Sequence, residues 1–257
     1  MSWSASPCAT ASSTSGSAGS LAAGVQSDTL GSVRLFGPLH LSLVLATLVA
    51  VAALSILCRR RPNAARPLRL ALGYGLAANE IVWWIFRYSH EGVHLVNLPL
   101  QLCDATVWLS AAACLTLQPF VVEAAYFAGI AGAGMALLTP DLWSPWPSYP
   151  AVYFFVAHGG IVAASSVPVF GRLAELRPGA WWRAFLALLG YAAVVGALDR
   201  LTGANYMYLC VKPKSGSLLN AFGPWPVYLA PAAALTLALF WLMYLPVQSR
   251  PEVYTKK

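Results

Sequence analysis

Seven apolar runs of about 20 residues each dominate the chain from residue 38 onward: 38–58, 68–88, 97–117, 119–139, 150–170, 180–200 and 225–246. That length is what an α-helix needs to cross a hydrocarbon core of about 30 Å. The apolar character continues all round each run, so none reads as an amphipathic surface helix. The pattern predicts an all-α fold, a polytopic membrane bundle of about seven transmembrane helices. Composition agrees: 58% of the residues are hydrophobic and 10% charged, where a soluble domain is about a quarter charged.

The remaining segments read as tails. Residues 1–33 are rich in Ser and Ala and lack a sustained apolar period, which predicts disorder. Residues 34–247 form the membrane domain, and 248–257 form a short basic tail. The net charge of +7 comes from loop lysines and arginines. No basic patch is interleaved with aromatics, so nucleic acid is not an expected partner. The first loop, the fifth loop and the C-terminal tail together hold 11 of the 16 Lys and Arg residues. By the positive-inside rule the N-terminus is outside and the C-terminus inside, which an odd number of spans allows.

Polar groups inside apolar runs are costly and therefore informative. The third run opens Asn97-Leu-Pro-Leu-Gln101-Leu-Cys103-Asp104-Ala-Thr-Val-Trp108, with a thiol, a carboxylate and a carboxamide near its start. The fifth carries His158. In the predicted orientation both runs pass inward, and the two side chains lie about 9 and 12 Å below the outer face. Glu80, His40, Asp199, Asp141, His90 and His94 fall in the same half. This sorting points to one polar cavity in the outer leaflet, in which Cys103 meets His158.

Each residue also has a plainer reading. Glu80 pairs with Arg87, two turns on along the same face, or belongs to the cavity. His158, followed by Gly159 and Gly160, is a hydrogen-bonded structural histidine or a base. Asp104 lies about 100° round the helix from Cys103, so it orients a neighbour rather than acting on the thiol. Glu123 sits near the inner interface, solvated. Cys58 and Cys114 are small apolar fillers, and a disulfide between Cys8 and Cys210 is compatible with their positions. Small residues spaced by four in the fourth run (Ala125, Gly129, Ala133; Ala128, Gly132, Ala136) predict close helix packing.

The chemistry open to these groups is nucleophilic. A cysteine attacks as its thiolate, and an apolar site opposes ionisation. A histidine within hydrogen-bond reach removes the proton, and Asp104, Glu80 or Gln101 could hold the imidazole in the right tautomer. Cys103 lies beyond the first turn of a helix starting at 97, so the helix dipole helps it little. At the depth of a lipid ester the pair suggests acyl transfer through a thioester. The same residues would equally serve a proton relay, or the polar pocket of a small-solute or proton-coupled transporter.

Several motifs carry a resemblance. Between the sixth and seventh runs stand Asp199-Arg-Leu-Thr-Gly-Ala-Asn205-Tyr206-Met207-Tyr208-Leu209, Lys212-Pro213-Lys214, Ser217-Leu218-Leu219 and Gly223-Pro224-Trp225-Pro226. Earlier come Phe36-Gly37-Pro38-Leu39-His40, Leu98-Pro99-Leu100-Gln101-Leu102-Cys103 and Leu137-Leu138-Thr139-Pro140-Asp141. Together they resemble the YwaF-like integral membrane proteins, which are similar to the eukaryotic transmembrane protein 164 family. The chain departs from that pattern at Gln101, Tyr208 and Val227. The resemblance implies a membrane acyltransferase of lipid metabolism that moves an acyl chain between a phospholipid and a lysophospholipid. Cys103 would be the nucleophile and His158 the base. A more distant likeness to androgen-induced transmembrane hydrolases implies a lipid esterase on the same site.

The loop after Asp199 would then present Asn205, Tyr206, Lys212 and Lys214 to substrate, with the lysines as point charges for a lipid phosphate. The alternative is an ordinary polar loop. With Glu80 and Gln101 these complete the expected substrate-contacting set, and the cell membrane is the expected location. No metal or other cofactor is expected, because no P-loop, GxGxxG or metal-ligand spacing is present. A non-catalytic scaffold, in which the polar cluster only packs, is the third alternative.

Overall fold

A computed structural model describes residues 33–142, 144–212 and 218–248. The readings made for the two tails therefore lie almost wholly outside the described residues. Seven helical rods follow one another: α1 (Pro38–Arg60), α2 (Pro62–Glu91), α3 (Leu102–Thr116), α4 (Pro119–Leu138), α5 (Tyr149–Phe170), α6 (Ala180–Thr202) and α7 (Leu229–Tyr244). Short 3-10 turns at 206–208 and 218–222 lie between α6 and α7. No strand occurs among the described residues, as expected where backbone polar groups must be satisfied within each segment.

Four of the rods, α1, α4, α5 and α6, are long and apolar enough to cross a membrane, among the described residues. The apolar α3 and α7 are shorter, at 15 and 16 residues. Helix α2 has 30 residues but is interrupted by charges. Proline occupies the first turn of α1, α2, α4 and α5, where its missing N–H costs nothing. Helix α6 stops at Gly203, whose φ of 72° closes the end in the left-handed region that glycine enters freely.

Helix α5 is the centre of the bundle and packs against α1, α2, α3 and α4, whereas α6 packs on α4 and α7. In the most apolar 18-residue window of each, 78% of α5 is buried but only 11% of α1. An apolar helix left that open inside the protein is one whose sides face lipid. The small-residue pattern of α4 serves contact, as expected. One widened π turn spans Ala125–Gly129. At Gly129 an added Cβ would come within 2.4 Å of Ser165 Oγ, so only glycine lets α4 lie this close to α5.

Four of the arginines that set the predicted orientation, Arg59, Arg69, Arg177 and Arg183, have partners in the structure. Arg69 donates to the carbonyls of Cys114 (2.5 Å) and Leu115 (2.9 Å) at the end of α3, and Arg59 donates to Phe170 O (2.5 Å) at the end of α5. Cations there satisfy orphan carbonyls and complement the negative helix terminus. Glu123 is not the solvated residue expected. It is fully buried and gripped by two guanidinium groups, with Arg177 Nε at 2.8 Å from Oε1 and Arg183 Nη2 at 2.8 Å. Both its oxygens accept charge-assisted bonds there.

Candidate active site

Helix α3 begins at Leu102, five residues later than the apolar run suggested. Residues 97–101 are irregular because Pro99 and the Asn97 side chain hold a turn: Asn97 Oδ1 accepts His94 N–H at 2.8 Å, and Nδ2 donates to Gly92 O at 3.0 Å. Cys103 is consequently in the first turn, which corrects the view that the helix dipole is out of reach. The thiol therefore belongs to the N-terminal end of α3. The start of a helix carries partial positive charge, a field that contributes about 0.3–1 kcal/mol in favour of negative charge.

Asp104 has a different neighbour from the one expected. Its Oδ2 accepts the Gln101 N–H at 3.0 Å, three residues back, which fixes the first turn of α3. Gln101 in turn accepts Met207 N–H on Oε1 at 2.8 Å. Glu80 is fully buried, and Arg87 is not its partner. Its oxygens accept Trp84 Nε1–H (2.6 Å) and Tyr153 O–H (2.5 Å), while Arg87 pairs with Glu91 at 3.0 Å.

His158 is buried in α5 with its ring 4.2 Å from that of Phe154. Its Nδ1 is 2.7 Å from Phe154 O, one turn back in the same helix. A carbonyl can only accept, so Nδ1 holds the hydrogen and the neutral ring has its lone pair on Nε2. Nε2 makes no hydrogen bond with a described residue. The group that sets the tautomer is thus a backbone carbonyl, not one of the three side chains put forward for it. An i−4 histidine-to-carbonyl contact leaves no mark in a sequence, so nothing in the chain signalled it.

Helices α3 and α5 point the same way, since each runs antiparallel to α4: Leu102 lies beside Gly132 and Ser110 beside Gly129 on one side, and Ser165 lies beside Gly129 and Phe170 beside Tyr126 on the other. Ser110 Oγ and Ser165 Oγ, 2.8 Å apart, tie α3 to α5. Cys103 precedes Ser110 by seven residues, and His158 precedes Ser165 by seven. Seven residues are two helical turns, about 10.5 Å of rise. Cys103 also packs against the cluster that contains Phe154, the residue that holds His158. No hydrogen bond joins the thiol to the imidazole.

The other histidines and acids do not converge. His40 is buried between Phe36 N–H (3.0 Å to Nδ1) and Leu137 O (2.7 Å to Nε2). His90 turns back to Phe86 O and His94 to Glu91 O. Asp199 accepts Tyr206 N–H at 2.9 Å. Several of the loop residues expected at a substrate are engaged elsewhere. Asn205 closes its own turn, donating to Val211 O (2.8 Å) and accepting Cys210 and Val211 N–H. Buried Tyr206 accepts Leu98 N–H and donates to Leu95 O, both at 2.8 Å. Lys212 Nζ lies over the Tyr228 ring, 5.2 Å from its centroid, and Lys214 is outside the described residues. Cys210 is disulfide-bonded, while Cys8 is also outside them. Tyr206→Phe should cost about 1–3 kcal/mol locally, because it strips both partners of the hydroxyl. Faster hydrogen exchange at residues 95–98 and 203–211, with the rest of the bundle unchanged, is the expected readout.

Tightly packed apolar helices, open to lipid on their flanks and polar only at a few internal points, define a multi-pass integral membrane protein. Within that class a family model matches residues 35–244, and the chain belongs to the TMEM164 family. No curated protein and no solved structure matches it.

Proposed function

We propose that this protein is a phospholipid acyltransferase that works through an acyl-thioester on Cys103, with His158 as its base. The observation that supports this most directly is the His158 tautomer, which leaves Nε2 without a partner among the described residues, on a histidine that precedes the Ser110–Ser165 tie by two turns, as Cys103 does on its own helix. The Cys103 S–H passes its proton to Nε2, and the sulfur adds to the ester carbonyl of a phospholipid. The C–O bond breaks, and the departing lysophospholipid oxygen takes the proton back. An acceptor hydroxyl then gives its proton to Nε2 and attacks the thioester. The acyl chain moves to the acceptor, and the sulfur leaves as a thiolate that recovers the proton from His158.

Water in place of the acceptor makes the same sequence a lipid hydrolysis. A proton relay through Glu80 is less well supported, since both its oxygens are occupied by Tyr153 and Trp84. In this reading α2, α3 and α7 complete seven spans, the N-terminus faces out and the cell membrane is the location. The test is a trapped intermediate. Incubation with a phospholipid and acid quenching should leave one acyl mass on the peptide containing Cys103, removed by neutral hydroxylamine. An unmodified peptide under turnover conditions would remove the mechanism.

A further inference from the structure

At the end of the bundle where α1 and α5 stop, a cavity of about 280 Å³ opens between Cys58, Arg59, Pro62, Ala65, Gly171, Arg172 and Leu173. The chain is drawn in tightly there at Gly171, where an added Cβ would come within 3.1 Å of Cys58 Cβ. The cavity lining combines apolar residues (Cys58, Pro62, Ala65, Leu173) with two arginines, Arg59 and Arg172. Arg60, Arg61 and Arg66 stand exposed on the adjoining corner. None of these five forms an ion pair among the described residues; the three ion pairs present join Arg87 to Glu91 and Arg177 and Arg183 to Glu123. Arg59 uses Nε on Phe170 O and leaves its terminal nitrogens free, and the Arg172 side chain makes no hydrogen bond with a described residue. Arg172 also holds a left-handed backbone, φ 59°, a conformation costing on the order of 1 kcal/mol for a non-glycine residue.

We propose that this cavity binds the phosphate headgroup of an anionic phospholipid, with Arg59 and Arg172 on the phosphate and the glycerol end against the apolar lining. Two unpaired guanidinium forks match phosphate oxygens in geometry as well as charge. Basic pockets between membrane helices near a bilayer surface are suited to anionic headgroups. The site is separate from Cys103, which belongs to the opposite end of α3, and the proposal does not depend on the reaction assigned above.

Native mass spectrometry of the purified full chain, with added phosphatidylglycerol or phosphatidylcholine of equal chain length, tests it. Phosphatidylglycerol should be retained in preference, and Arg172→Gln should weaken it about tenfold, the loss expected for one charge-assisted contact. Arg59→Gln should weaken it likewise from the other helix. Arg200→Gln, which removes the same charge at the end of α6, should leave retention unchanged. Equal retention of the two lipids, or equal loss from Arg200→Gln and Arg172→Gln, would overturn the proposal. Displacement of the lipid by equimolar inorganic phosphate would overturn it too, by assigning the cavity to the free anion.

Discussion

Cys103→Ala is expected to abolish acyl transfer, by a factor of about 10³ or more, while the protein still folds and inserts. Removing the nucleophile of a covalent mechanism leaves only binding and positioning. The stability cost should be small, about 1 kcal/mol, because Cys103 is partly buried as a residue and only one sulfur atom is lost. His158→Gln should lower the rate by about 10²–10⁴, the range for a positioned base. It keeps a polar group of similar length at the Phe154 carbonyl, so the fold has little to lose. The two variants combined should be no worse than Cys103→Ala alone, since the residues act as one unit. Initial rates of acyl exchange in proteoliposomes check all three, and activity retained in Cys103→Ala would end the reading.

Glu123→Gln is the expected stability variant. The carboxylate is fully buried and accepts from Arg177 and Arg183 on both oxygens. Losing one partner of a buried ion pair costs about 3–5 kcal/mol. Here the figure belongs near the lower end, because the two arginine side chains are 49% and 36% exposed and can turn to water. The expected result is a lower thermal midpoint in detergent, with acyl exchange per folded molecule unaltered. Arg177→Gln or Arg183→Gln alone should do much less, because each leaves the other guanidinium on the carboxylate.

The helical rods were legible from the sequence because hydrophobic run length reports directly on what can lie in lipid. Their ends were less so. Residues 97–101 are as apolar as a helix, yet Pro99 and the Asn97 turn keep them out of it, and that moves Cys103 into the first turn. Glu123 read as solvated because its partners stand 54 and 60 residues away in sequence. The acids were put forward as orienting groups for His158 on chemistry alone. Asp104 and Glu80 instead satisfy a backbone amide and two aromatic donors, contacts set by the packing of α2, α3 and α5. The His158 tautomer was not readable, since a carbonyl belongs to every residue alike.

Gln101 has one further role. Its backbone N–H reaches Asp104 at the start of α3, while its amide oxygen holds Met207 more than a hundred residues along. The 203–211 crossing is thereby tied, through one carboxamide, to the first turn of α3, the turn that contains Cys103.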